Sequence, residues 1–146
     1  MIVVTSETPG SPQAARVIHR ALLGGLLMIC AVFLLIGLGL HDAPLMLAGK
    51  NTSIVGYVLA ACGIMPIILG LLFLKPRVPI RSLGQDEAAF WRTAQYAVIP
   101  VWAVFEGSGI IGAVGALLTG SLAPAFLVAI ALGCLVLFSP SHFESA

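Results

Sequence analysis

Glu106 is the residue whose type and position most strongly suggest chemistry. Between Arg92 and Glu144 it is the sole residue of fixed charge, ten residues after Tyr96 and twelve before Leu118 in an otherwise apolar run. In a membrane segment built from that run it falls near the bilayer midplane, where a charge costs several kcal/mol, about 2.5 to 3.5 for Asp, Lys and Arg on insertion-derived scales. No other apolar run contains a Lys, Arg or His, so the chain offers no intramembrane counter-charge. The expected resting form is the neutral acid, donating to a backbone carbonyl or to a hydroxyl such as Ser108 of another copy or partner. A carboxyl so placed suits two tasks, hydrogen-bonded assembly or reversible binding of a proton or cation.

Other reactive side chains form no constellation. Cys30, Cys62 and Cys134 lie inside apolar runs without CxxC spacing and read as small hydrophobes. His19, His41 and His142 lie outside the apolar cores, which removes the paired-histidine arrangement that holds a haem between helices. Asn51-Thr52-Ser53 fits a glycosylation acceptor, a pattern with meaning only in a eukaryotic secretory pathway. There is no Gly-rich phosphate loop, no metal-binding cluster and no Ser-His-Asp or Cys-His set. Neither an enzyme nor a cofactor or metal protein is expected.

The elements that must position Glu106 follow from composition. Of 146 residues, 60% are hydrophobic and 9% charged, against about a quarter charged in a soluble domain. Twelve of the thirteen charged residues lie outside the long apolar runs, so a water-facing surface cannot be assembled. A net charge of +1 is too sparse to displace counterions from nucleic acid, which is excluded as a partner. A span needs about 20 apolar residues, and four are found, at 21–40, 54–74, 96–118 and 122–138. The fold expected is an all-α, antiparallel, up-down bundle of four transmembrane helices at 16–140, between a mobile tail at 1–15 and a C-terminal tail at 141–146. Arg16 and Arg20 ahead of an apolar run also fit a secretory signal, but the run is too long and no small-x-small cleavage pattern follows it.

Pro66 in the second span frees a carbonyl near Cys62 and predicts a kink. Thr119, Gly120, Ser121 and Pro124 predict a tight turn that makes the third and fourth helices antiparallel neighbours. Six of the seven Lys and Arg residues flank the first span or fall at 75–92, which leaves Lys50 alone on the other side; both termini are therefore expected in the cytoplasm. Gly84, Gln85, Asp86 and Glu87 supply a helix start with acids at the positive end of the dipole. Phe90, Trp91 and Tyr96 are placed as interface anchors at the headgroup level. On the third helix Trp102, Gly109, Ala113, Ala116 and Gly120 fall within about 80° of Glu106. With the four-residue row Ser108, Gly112, Ala116 and Gly120 they predict a face on which another helix can approach closely.

The run GQDEAAFWRTAQYAVIPVWAVFEGSGIIGAVGALL resembles the second half of a rotary ATPase proteolipid (c-type) hairpin, a likeness that implies an ion-binding carboxylate at Glu106. The phrase FEGSGIIGAVGALLTGS, followed by one more span and Pro140, resembles a group of short bacterial four-span membrane proteins without established activity. That likeness implies a bacterial cytoplasmic membrane and no particular chemistry.

The functional expectation is an accessory, assembly or structural subunit, self-associating or part of a larger complex, that docks through the Gly/Ala face with Glu106 protonated. The alternative is a proton- or cation-coupled transport element in which Glu106 titrates.

Overall fold

A computed structural model describes residues 10–39 and 52–144, and every regular element among them is helical. The elements are α1 (Pro12–Gly39), α2 (Thr52–Leu69), α3 (Glu87–Thr119), α4 (Leu122–Leu137) and a short α5 (Pro140–Glu144). Among the described residues four helical segments are long and apolar enough to cross a membrane: Pro12–Phe33, Ser53–Arg77, Glu87–Thr119 and Leu122–Glu144. His41, Asp42, Lys50 and Asn51, and residues 1–9 of the expected N-terminal tail, lie outside the described residues.

Each helix starts and stops where local chemistry dictates. Ser11 opens α1, its Oγ accepting from Ala14 N at 3.1 Å, with Pro12 in the first turn where a missing N–H costs nothing. Helix α1 thus begins nine residues ahead of the expected span, and 12–15 are helical rather than tail; Ala15 is fully buried. Asp86 caps α3 by accepting from Ala89 N at 2.8 Å. Helix α3 ends at Gly120, which takes the left-handed conformation (φ 61°) and donates its N–H to Ala116 O at 2.8 Å. Ser121 then caps α4, so only Gly120 and Ser121 separate the two helices.

Helix α2 continues through Pro66. Four residues later it widens into a π turn at Gly70–Leu74, in which Lys75 N–H reaches Gly70 O, the kind of local adjustment that accompanies a disrupted hydrogen-bond ladder. Helix α3 carries Pro100 in its interior as well. Its 33 residues extend about 50 Å, longer than a bilayer core of about 30 Å.

The packing divides into two zones. Toward the α3 N-terminus large rings fill the interior: Phe90, Trp91, Trp102, Phe105 and Phe143 are all buried, with Trp91 and Trp102 ring centroids 6.5 Å apart. Toward its C-terminus glycines take over. A methyl group at Gly112 would lie 2.7 Å from Pro124 O, and one at Gly115 2.9 Å from Pro124 Cβ. Across α2, Gly63 abuts Leu127 and Gly56 abuts Ser121. Rings hold the helices apart at one end, and bare backbones meet at the other.

Candidate functional site

Glu106 sits at the seam between α3 and α1. Along α1, His19, Gly25 and Leu26 meet Trp102, Glu106 and Gly109 in turn. A methyl group on Gly25 would lie 3.2 Å from Glu106 Oε1, so the bare α1 backbone at that point makes room for the carboxyl. Glu106 is half-buried. Among the described residues its oxygens have no hydrogen-bonding or charged partner, yet they are not sealed inside. They open on the outer surface of the seam.

The neighbouring helices fix the level of Glu106 within the bundle. Gly25 lies four residues past Ala21, where the uncharged run of α1 begins, a rise of about 6 Å. One turn before Glu106, Trp102 Nε1 donates to Phe138 O at 2.6 Å, at the end of the apolar run of α4. Within the bundle Glu106 therefore lies nearer to the end carrying Arg16, Arg20 and Lys75 than to the α3–α4 turn. Counting within its own span could not show this, because depth is a property of the whole bundle.

The small-residue face is filled from within the chain. Gly109 packs against Leu26 of α1 and Ala131 of α4, and Gly112 against the backbone of α4 at Pro124 and Val128; Ala113 is buried too. Ala116 is only half-buried, and Gly120 is exposed and serves as the α3 terminator rather than as part of the face. Ser108 is buried and donates its Oγ to Val104 O of its own helix at 2.8 Å, which leaves no hydroxyl proton to offer another copy. Gly115, against Pro124 and Leu59, belongs to the face and was not anticipated, since it lies in neither the stripe beside Glu106 nor the four-residue row.

A polar knot lies at the α3 N-terminal end. Arg16 Nη2 bridges Glu87 Oε1 at 2.9 Å and Glu144 Oε2 at 3.1 Å. Trp91 Nε1 donates to Glu144 Oε1 at 3.0 Å. Phe90 and Trp91 are therefore not interface anchors: both are buried, Trp91 at 0% exposed, because α5 folds back and presents a carboxylate to the Trp91 N–H. Tyr96, at 75% exposed, faces outward. Residues 141–144 are likewise no free tail, since Phe143 is buried and its carbonyl accepts from Arg81 N at 3.1 Å. His19 turns inward, its Nε2 2.8 Å from Leu135 O and its ring edge-on to Trp102. Among the described residues no three His, Cys, Asp or Glu side chains come together as a metal-binding group.

No family model, curated protein or solved structure matches this chain. The functional reading rests on the geometry alone. Sequence reasoning found Glu106 through its isolation and missed Gly25, whose signal was the Gly24-Gly25 pair early in an apolar run. It also missed the Arg16, Glu87, Glu144 and Trp91 knot, whose members lie 71 and 128 residues from Arg16 in the two ion pairs.

Proposed function

We propose that this chain is a small multi-pass subunit of a bacterial inner membrane that acts by assembling with another membrane chain, with Glu106 as its polar contact. The four spans form an antiparallel up-down bundle. The meeting of Arg16 with Glu87 and Glu144, and of Gly56 with Ser121, supports that arrangement. Both termini lie on the cytoplasmic side, a reading supported by the basic residues gathered at that end.

One observation carries the reading: a carboxyl set in the apolar part of the bundle, given room by a glycine, open to the outside and without a partner among the described residues. An acid in that setting is costly unless a neighbouring helix satisfies it. In the isolated protomer it is the neutral acid. The Gly/Ala face of α3 is not the docking surface, since α1, α2 and α4 already cover it; docking passes to the outer rim of the α1–α3 seam.

Native electrophoresis of the chain in nanodiscs from its own membrane tests this. The species is expected to run above protomer mass, and Glu106→Leu to return it to the protomer. A monomer whose proteoliposomes show a pH-gradient-driven flux, abolished by Glu106→Gln with the fold intact, would overturn assembly in favour of transport.

A further inference from the structure

We propose that the partner at the α1–α3 seam is a second copy of this chain, and that Arg20 of each copy pairs with Glu106 of the other across a two-fold axis normal to the membrane. This rests on the assembly reading above and names its surface. Arg20 is exposed on α1 and pairs with no carboxylate among the described residues. Glu106 is the matching unpaired acid.

Depth allows the pairing. With His19 against Trp102, Arg20 stands level with about Ala103, three residues or about 4.5 Å from Glu106 along the helix. The Glu106 carboxyl itself lies against Gly25, five residues or about 7.5 Å past Arg20 along α1. The remaining gap is within the span of an arginine side chain. A two-fold axis along the membrane normal keeps every residue at its own depth, so only charges at similar depth can meet.

Azimuth allows it as well. Around α1, Gly25 with its neighbour Glu106 lies about 140° from Arg20. The sector between them is the outward face, occupied by Val17, Ala21, Gly24 and Met28, all exposed. When two copies meet face to face about a two-fold axis, the left flank of each opposes the right flank of the other. The Glu106 flank of one copy then faces the Arg20 flank of its partner, twice over. The pairing also satisfies an acid that has no partner among the described residues, using an arginine at the edge of the apolar run of α1. It ionises Glu106, which the isolated protomer keeps neutral.

Two differently tagged full-length copies, co-expressed and extracted into nanodiscs, test the proposal. They are expected to co-purify, with dimer dissociation followed by dilution. Arg20→Gln and Glu106→Gln are each expected to weaken the dimer on the order of tenfold, and the double variant no more than either alone, the signature of a direct pair. Gly24→Leu serves as a variant that leaves the fold alone, because nothing lies within 4 Å of a methyl built there; it is expected to abolish the dimer at unchanged protomer stability. Additive losses, an Arg20→Gln dimer as tight as the parent, or a tolerant Gly24 would each overturn the proposal. Tags that fail to co-purify while the chain still runs above protomer mass would sink the self-pairing and leave the assembly reading standing; a monomer would sink both.

Discussion

At the scale of single residues, the structure separates two adjacent glycines that look equivalent in the sequence. Gly25 faces Glu106, and a methyl group there would sit 3.2 Å from the carboxyl oxygen, whereas Gly24 faces open space. Gly25→Leu is therefore expected to push the carboxyl out of the seam and lower protomer stability by about 1–3 kcal/mol, the usual cost of overpacking. Gly24→Leu should leave it unchanged, and thermal unfolding of both variants in the same detergent checks the contrast. Trp102 offers a second test. Its Nε1 satisfies Phe138 O at 2.6 Å where the last turn of α4 runs out of intrahelical donors. Trp102→Phe keeps a ring in the core but orphans that carbonyl, and should cost about 1–3 kcal/mol in the same assay.

At the scale of elements, α3 is the helix on which the others converge. Its N-terminal half carries rings and its C-terminal half carries glycines, and the two halves answer substitution differently. At Gly112 the obstacle to a side chain is the α4 backbone itself, 2.7 Å from where a methyl would sit. Backbone cannot rotate aside, so Gly112→Leu is expected to separate α3 from α4 and unfold the protomer in detergent, as read by loss of monodisperse elution. Ala116→Leu, at a half-buried position one turn on, should be tolerated with a loss below about 1.5 kcal/mol. Equal tolerance of both would contradict the tight α3–α4 contact. The short α5 acts as a clasp: through Glu144 it satisfies the Trp91 indole and holds Arg16, and through Phe143 it covers the ring zone. Truncation after Ser139 leaves the indole N–H orphaned and uncovers apolar surface, an expected loss of about 3 kcal/mol, measurable as a lowered Tm. The ion pair itself contributes little of that, because Arg16 is 45% exposed and screened pairs are worth about 0–1 kcal/mol.

At the scale of the whole molecule, the apolar residues not used in the core form an outer belt. Val17, Met28, Tyr57, Leu72, Phe126 and Val136 are all exposed, an arrangement unstable in water and suited to lipid. The connection from Val78 to Asp86 stands apart from the belt as an ordered turn, with Gln85 N donating to Ser82 O at 3.0 Å and Gly84 at φ 82°. That turn holds Leu83 out at 91% exposed. In the proposed topology, Leu83 lies on the cytoplasmic side and Gly120 on the opposite side. A membrane-impermeant thiol reagent is expected to modify Gly120→Cys in intact cells and Leu83→Cys only after permeabilisation; labelling of both from one side would refute the four-span arrangement.

Much of this architecture is written locally, and local physics is what a sequence exposes. Long uncharged runs, the Asp86 cap, the Gly120 stop and the isolation of Glu106 each depend on residues a few positions apart, so the helices and the unusual acid were legible without coordinates. The membrane requirement reinforces this, since hydrocarbon leaves a span no choice but to satisfy its backbone as a helix. What the residues could not declare is which neighbour each helical face meets. Whether the glycines of α3 serve a partner or the chain itself, whether Trp91 anchors at the surface or lies buried under α5, and how deep Glu106 sits depend on contacts between residues far apart along the chain. Those contacts follow from how four nearly uniform apolar surfaces fit together. Between helices that are apolar on every side, burial gives little preference for one face over another, and only shape, settled by glycine gaps against large rings, selects the packing.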